Sequence, residues 1–368
     1  MTVTLQDIAD TCGVHKMTVS RALRGNTSIS AETTARVQAA AAALGYQPAH
    51  NESARRLVMR RTGQQVINQV AAFFLPPFVY NVNYFARLHH GVIDTLTSHN
   101  FATLVSHVDY LDSDSAFALP PVFARGDVDG IITLTRPETL QVIFDHLTRI
   151  DMFPRMPLIS MMWPMTQCSS VVVDDEDGAY QAARHLLELG HRHLLTIIFT
   201  DGNVIQERRL RGMRRALAEW QLPPTALLTF SAFSLGSLSA GQHLQLPVLA
   251  TGRTAHPLGA YLDAHPKITA LLAPNDATAL RAWHILEHGG WQVPEEISII
   301  GFDDTDPNLD AIGENRLTSV HLPLDEVGNA AGELLLQLVH AHSTSKEHLV
   351  LPTTLVVRTS TTPPPHMV

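Results

Sequence analysis

After Gly63 the sequence alternates short apolar runs with amphipathic helical stretches. That rhythm constrains the fold more than any other feature. Candidate strands are "QVAAFFL", "FATLVSHV", "GIITL", "PLISMM", "LLTIIF", "ALLTF", "ITALLA" and "ISIIGF". Helical stretches such as "NYFARLHHGVIDTLTS", "DGAYQAARHLLELG" and "IQERRLRGMRRALAEW" lie between several of them. Strands that are apolar on both faces and separated by helices predict parallel sheets covered on both sides. At 368 residues the chain exceeds one ordinary core, and its length predicts two such lobes.

The first 60 residues follow a different pattern. Thr4 and Asp7 are spaced to cap a helix, with Leu5, Ile8 and Ala9 on one face. Gly13 ends it, and a second helix fits His15 to Leu23. Ser30 can cap a third, with Val37, Ala40, Ala41 and Leu44 at helical spacing, closed by Gly45. The spacing of Ala9, Gly13 and Val19 suits a helix-turn-helix, where a small residue, a turn glycine and a β-branched residue let two helices pack closely. A three-helix cap without a nucleic-acid role shares this pattern.

Charge separates the two regions. Residues 1–61 hold eight Lys or Arg and four acids, net +4, which leaves −13 of the total of −9 for the rest. A basic head on an acidic body predicts that only the head approaches a polyanion. "NESARRLVMRRTG" (Asn51 to Gly63) concentrates Arg55, Arg56, Arg60 and Arg61 around Leu57, Val58 and Met59. No apolar run reaches membrane-spanning length and no signal pattern opens the chain, so the expected location is the cytoplasm, without membrane contact. Two cysteines, Cys12 and Cys168, make no disulfide framework.

"VTLQDIADTCGVHKMTVSRAL", followed by "GYQP" and "ARRL", resembles the DNA-binding head of the LacI/GalR family of bacterial repressors. "HLLELGHRHL", "RLRGM", "PNDATAL", "ISIIGFDD" and "LTSVHLPLDEVGNAAGELL" extend the resemblance over most of the chain. The resemblance implies an α/β fold: a two-lobed body of parallel sheets, similar to periplasmic binding proteins, behind an all-α helix-turn-helix domain. The expected domains are a head at 1–47, a hinge helix and linker at 48–64, a body at 65–360 and a tail at 361–368. The first lobe is expected at about 65–170 and 318–340, the second at about 171–317 and 341–360.

The resemblance also implies roles. Lys16 and Met17 match residues that select the operator. Thr18, Ser20 and Arg21 match backbone and base contacts in the major groove. Thr4, Asn26 and Arg55 belong to the same DNA-binding set. Leu57 matches a leucine that wedges into the minor groove. Arg209, Asn275 and Asp303 match effector-binding positions. Their chemistry suits a polyol, since carboxylates and amides accept from hydroxyls and a guanidinium donates in a fork. Phe78 and Tyr84, with Tyr80 and Phe85, follow the first strand and suit stacking on a sugar face. The implied partners are double-stranded operator DNA, a carbohydrate effector and a second copy of the chain in a homodimer. No cofactor, metal or catalytic residue is implied.

Three features depart from the family pattern. His15 stands where a helix-capping serine is usual. "PAHNESA" (Pro48 to Ala54) is two residues long for its place. "FSAFSLGSLSAGQHLQLPV" (230–248) reads as an insertion near the cleft. Asp174 and Asp175 open a helix, which alone explains acids there. "GHRH" (191–193 for His-Arg-His) raises a metal reading, but a loop role is the expectation. The chain carries no G-x-G-x-x-G, G-x-x-x-x-G-K-[ST], H-E-x-x-H or G-x-S-x-G. Paired aspartates leave a glycoside hydrolase as the enzyme alternative, and a solute-binding protein is a third reading on the same lobed fold.

Overall fold

The computed structural model describes residues 3–23, 29–46, 67–76, 82–108, 119, 121–124, 126–149, 155–199, 202–235 and 252–365. It separates into two units, Met1–Asn68 and Gln69–Val368.

The first unit contains helices α1 (Leu5–Cys12), α2 (Lys16–Leu23) and α3 (Ala31–Ala43). The Thr4 hydroxyl accepts from the Asp7 amide while the Asp7 carboxylate accepts from the Thr4 amide at 2.7 Å, so two orphan donors at the start of α1 are satisfied. Gly13 takes a left-handed φ of 61°, which closes α1 and starts the turn into α2. Ile8, Ala9, Val19, Ala22, Val37 and Ala41 form the core of this unit. The helix-turn-helix spacing is thereby realised, with Ala9 and Val19 buried. Leu44 is an exception to the expected stripe, being half-exposed at the C-cap of α3.

The second unit is built on two six-stranded sheets. The first contains β1 (Val70–Leu75), β2 (Ala102–His107), β3 (Gly130–Thr133), β4 (Leu158–Met161), β5 (Ser169–Val173) and β11 (His348–Leu351), in the order β11-β5-β4-β3-β1-β2. All its pairings are parallel. The second contains β6 (Leu194–Ile198), β7 (Leu227–Ser231), β8 (Ala270–Leu272), β9 (Ser298–Asp303), β10 (Thr318–His321) and β12 (Thr354–Val356), in the order β12-β10-β9-β8-β6-β7. Only β12 runs antiparallel.

Helices α4 (Val82–Ser98) and α5 (Pro137–Arg149) belong to the first lobe. So does α10 (Leu324–His340), which packs on α4 and on β3, β4 and β5. Helices α6 (Asp175–Glu188), α7 (Val204–Glu219), α8 (Pro257–Ala264) and α9 (Asp276–His288) belong to the second.

The chain therefore crosses between lobes three times, after β5, β10 and β11. This alters the expected lobe limits. Residues 318–321 pair with β9 in the second lobe, and 348–351 pair with β5 in the first. The reason is non-local: the residues of a short apolar strand do not specify which sheet edge accepts it. The expected tail also begins later than 361. His185 bonds the Thr361 hydroxyl at 2.9 Å, and the Thr362 amide donates to Ser298 Oγ at 3.1 Å, so 361–362 are stitched into the second lobe. The expected hinge segment, 48–64, lies outside the described residues, as do 236–248 of the second-lobe insertion.

Glycines set how closely helices approach. A Cβ on Gly91 of α4 would stand 2.2 Å from the Asp325 carbonyl of α10, and one on Gly328 of α10 would stand 2.4 Å from the Leu88 carbonyl. Gly91→Ala gains about 0.5–1 kcal/mol of helix propensity but overpacks the crossing at about 1–3 kcal/mol. Urea unfolding is expected to show a lower midpoint for Gly91→Ala; a raised midpoint would mean that the helices simply move apart.

Candidate functional site

Two surfaces follow from this architecture. On the head, Val19 and Ala22 anchor α2 in the core and turn its other face outward. Lys16, Met17 and Arg21 are exposed there, Met17 at 55%, while Thr18 and Ser20 are half-buried. His15 takes over the role of the missing serine: its Nδ1 accepts from the Met17 amide at 3.2 Å. The first turn of α2 is thus capped, by an imidazole instead of a hydroxyl. Thr4 is exposed beside its cap, whereas Asn26, Arg55 and Leu57 lie outside the described residues.

The second surface is the cleft between the lobes, a cavity of about 260 Å³. Arg209, Asn275 and Asp303 line its second-lobe wall together with Gln206, and Tyr84 and Phe85 line the first-lobe wall. Phe78 and Tyr80 lie outside the described residues. Tyr84 and Phe85 meet edge to face, with ring centroids 5.4 Å apart. Arg136 and Trp163 of the first lobe complete the lining. These two, and Gln206, were missed by sequence reasoning. Arg136 stands just past β3, at the carboxyl end of a parallel strand, where ligands of such sheets sit. Gln206 precedes Arg209 by three residues and shares its helix face. Trp163 gives no such signal, because an apolar residue after a strand reads as core.

Each second-lobe residue is held by a specific local cause. Arg209 rides on α7, which lies close to α6 because a Cβ on Gly212 would stand 1.9 Å from the Glu176 carbonyl. Its Nε donates to Asp175 Oδ1 at 2.9 Å, its Nη2 sits 2.7 Å from the same oxygen, and its Nη1 donates to the Pro274 carbonyl at 2.5 Å. Its guanidinium carbon lies 3.5 Å over the Phe302 ring. The expected effector contact is therefore also the counterion of a buried acid. Asp175 is 2% exposed, and Asp174 caps α6 by accepting from the Asp177 amide. Asn275 caps α9, accepting from the Thr278 amide at 2.8 Å, which leaves its Nδ2 as the donor end.

Asp303 ends β9 with φ at 99° and is 8% exposed. Burial, with Asp276 and Asp175 nearby, lifts its carboxyl well above the usual range, while Arg209 pulls the other way. The same burial and the Asp303 charge raise the Tyr84 phenol.

Beyond Asp303 the chain turns sharply, Asp304 having φ at 55°. Asp276 holds this turn. Its carboxylate accepts from the Thr305 amide at 2.7 Å, the Asp306 amide at 3.3 Å and Ser319 Oγ at 2.5 Å. Gly301 makes room, since a Cβ there would stand 2.2 Å from Asp276 Oδ1. Asp304 is fixed by Arg358 at 2.8 Å. From the first lobe, Asn83 Nδ2 donates to the Thr305 carbonyl at 3.1 Å. One turn thus carries a cleft carboxylate and a contact between the lobes.

His191 of the "GHRH" stretch is buried, bonding Thr269 Oγ1 at 2.7 Å and the Thr362 carbonyl at 2.9 Å; burial pushes it down to about 4. Among the described residues no helix is long and apolar enough to cross a membrane.

A helix-turn-helix head with an exposed recognition face, carried by a two-lobed α/β body with a polar cleft, defines a DNA-binding transcription regulator. The profile of the lacI family of bacterial regulatory proteins matches residues 4–49, and that of the periplasmic binding protein-like domain matches 183–361. The HTH-type transcriptional regulator DegA of Bacillus subtilis (strain 168) is 30% identical over 368 residues, 99% of either chain. A structure of the transcriptional regulator CelR–cellobiose complex is 25% identical with a TM-score of 0.63, covering 97% of this chain and 99% of that one. A LacI-family transcriptional regulator from Enterococcus faecium with bound ribose is 25% identical with a TM-score of 0.62, covering 80% of this chain and 99% of that one. The chain belongs to the lacI family of bacterial regulatory proteins.

Asp276 also makes the body's stability depend on pH. Burial pushes its carboxyl up to about 7 from the ordinary 3.8, even though Ser319, Thr305 and Asp306 bond it. A carboxyl raised on folding contributes its full stability below the unfolded value and loses it as pH rises through the folded one. Its contribution therefore falls between about pH 4 and about pH 7. Asp276→Asn keeps an acceptor for Thr305 and gives Ser319 a donor. The variant's urea midpoint should decline less over that range than the parent's; matching slopes would show that Asp276 does not titrate there.

Proposed function

We propose that the chain is a repressor that binds operator DNA as a homodimer and is controlled by a carbohydrate effector in the cleft. The observation that carries the reading is the cleft's two-sided chemistry: aromatic rings on one wall, and Asp303, Asn275, Gln206 and Arg209 on the other. Sugars present both an apolar ring face and a rim of hydroxyls, and this lining matches both. The bound cellobiose and ribose of the two related structures support it. A homodimer follows from helix-turn-helix practice, in which two heads read matching half-sites. The segment around Arg55 and Leu57 is proposed to anchor on phosphates and wedge the minor groove.

A hydrolase would need a second carboxylate able to exchange protons or attack. Asp175, the buried acid nearest in role, is committed to Arg209. In the regulator reading the effector acts by differential affinity for two lobe arrangements, and DNA affinity shifts by no more than that difference.

Two outcomes are expected. Exchanging Lys16 and Met17 should change the bases preferred in binding-site selection, at roughly 1–3 kcal/mol for a good bidentate contact. Met17 offers only apolar contact, so its effect should centre on a thymine methyl. An unchanged motif would remove these residues from operator choice. In the cleft, Asp303→Asn should retain operator binding in a gel-shift assay and lose the response to sugar. Asp303→Asn is preferable to Arg209→Ala, because removing Arg209 strands the Asp175 charge and costs stability of about 3–5 kcal/mol. A variant with an undiminished sugar response would move the effector elsewhere.

A further inference from the structure

Among the described residues that line the second-lobe wall, Arg209 is the one cation. Asp175, Asp276 and Asp303 are 2%, 1% and 8% exposed, and all three carboxyls are raised by burial. Arg209 is the guanidinium set among them, and it bonds Asp175 through Nε and Nη2 and Pro274 through Nη1. Three N–H directions of the fork are thereby spent within the protein. The Asn275 oxygen is likewise spent on Thr278. The wall also contains an acceptor with nothing to accept: Gln206 Oε1 is buried without a hydrogen-bond partner among the described residues. A buried carbonyl left unmatched is unfavourable, and a ligand that brings an O–H or N–H to it recovers that loss. Gln206 and Arg209 are one helical turn apart and line the same cavity as Asp303.

A carboxylate or phosphate against this wall would meet Asp303, with Asp175 and Asp276 buried behind it and the Arg209 guanidinium already engaged. A hydroxyl would satisfy Gln206 and Asp303. An ammonium would do so and also supply the missing countercharge, allowing Asp303 to ionise. Arg136, the cation of the first-lobe wall, is exposed and stands opposite, so it offers an anion a solvated site at the rim and none at the second-lobe wall.

We propose that the effector turns a donor-rich, non-anionic pole to the second lobe, read by Gln206 and Asp303, and that the cleft prefers amine-bearing sugars over acidic or phosphorylated ones. This rests on the carbohydrate reading given above.

The test uses the full chain, calorimetry and thermal shift. The probes are glucose, galactose and mannose, each with its 2-amino, uronic-acid and 6-phosphate forms, and ribose and cellobiose as neutral references. Within a series that binds, the amino form should bind at least tenfold tighter than the acid or the phosphate. Gln206→Leu should weaken the neutral and amino sugars about tenfold. Asp303→Asn should weaken the amino form at least as much as the neutral sugar. Gln206→Glu, a near-isostere, should increase that preference. An acid or phosphate form that binds tightest, or a Gln206→Leu affinity equal to the parent's, overturns this proposal and leaves the carbohydrate reading standing. No melting shift with any of the sugars overturns the carbohydrate reading itself, and this proposal with it.

Discussion

The Arg209–Asp175 pair is the contact on which the second lobe's cleft wall depends. A guanidinium and a carboxylate taken out of water are stable only when each is the other's partner and the remaining donors are bonded. Here the remaining Nη1 is bonded to Pro274 and the guanidinium face is covered by Phe302. The pair therefore ties together α6, α7, the approach to α9 and the end of β9. Gly212 permits this, because α7 must lie against the α6 backbone for Arg209 to reach Asp175. A residue that resembles an effector contact is in this way also structural, and the two roles are compatible only if ligand uses the donors left over.

Asp276 extends the same logic towards the first lobe. It fixes a turn by accepting two amides and a hydroxyl, and that turn presents Asp303 on one side and the Thr305 carbonyl on the other. Asn83 of the first lobe reaches that carbonyl. A ligand that pulls on Asp303 therefore acts on an element already bonded to the opposite lobe. This is the kind of shared element through which occupancy biases lobe arrangement.

The head solves a smaller problem locally. With histidine where a capping serine is usual, the Nδ1 acceptor stands in for the hydroxyl and α2 starts on schedule. The side-chain acceptor, more than the residue type, is what the first turn requires.

The sequence by itself determined the head, since its caps, turn glycine and apolar stripe act within a few residues of one another. Ala9, Gly13 and Val19 were legible for that reason, as were the strand-and-helix alternation and the polar residues after β8 and β9. Tertiary structure decided the remainder. The lobe to which β10 and β11 belong depends on edges offered by distant strands. The commitment of Arg209 to Asp175, 34 residues away, depends on two helices crossing at a glycine. Trp163 and Arg136 became cleft residues only when the first lobe placed the ends of β4 and β3 opposite Asp303. The unmatched oxygen of Gln206 has no trace in its own neighbourhood, because whether an amide finds a partner depends on everything that packs around it.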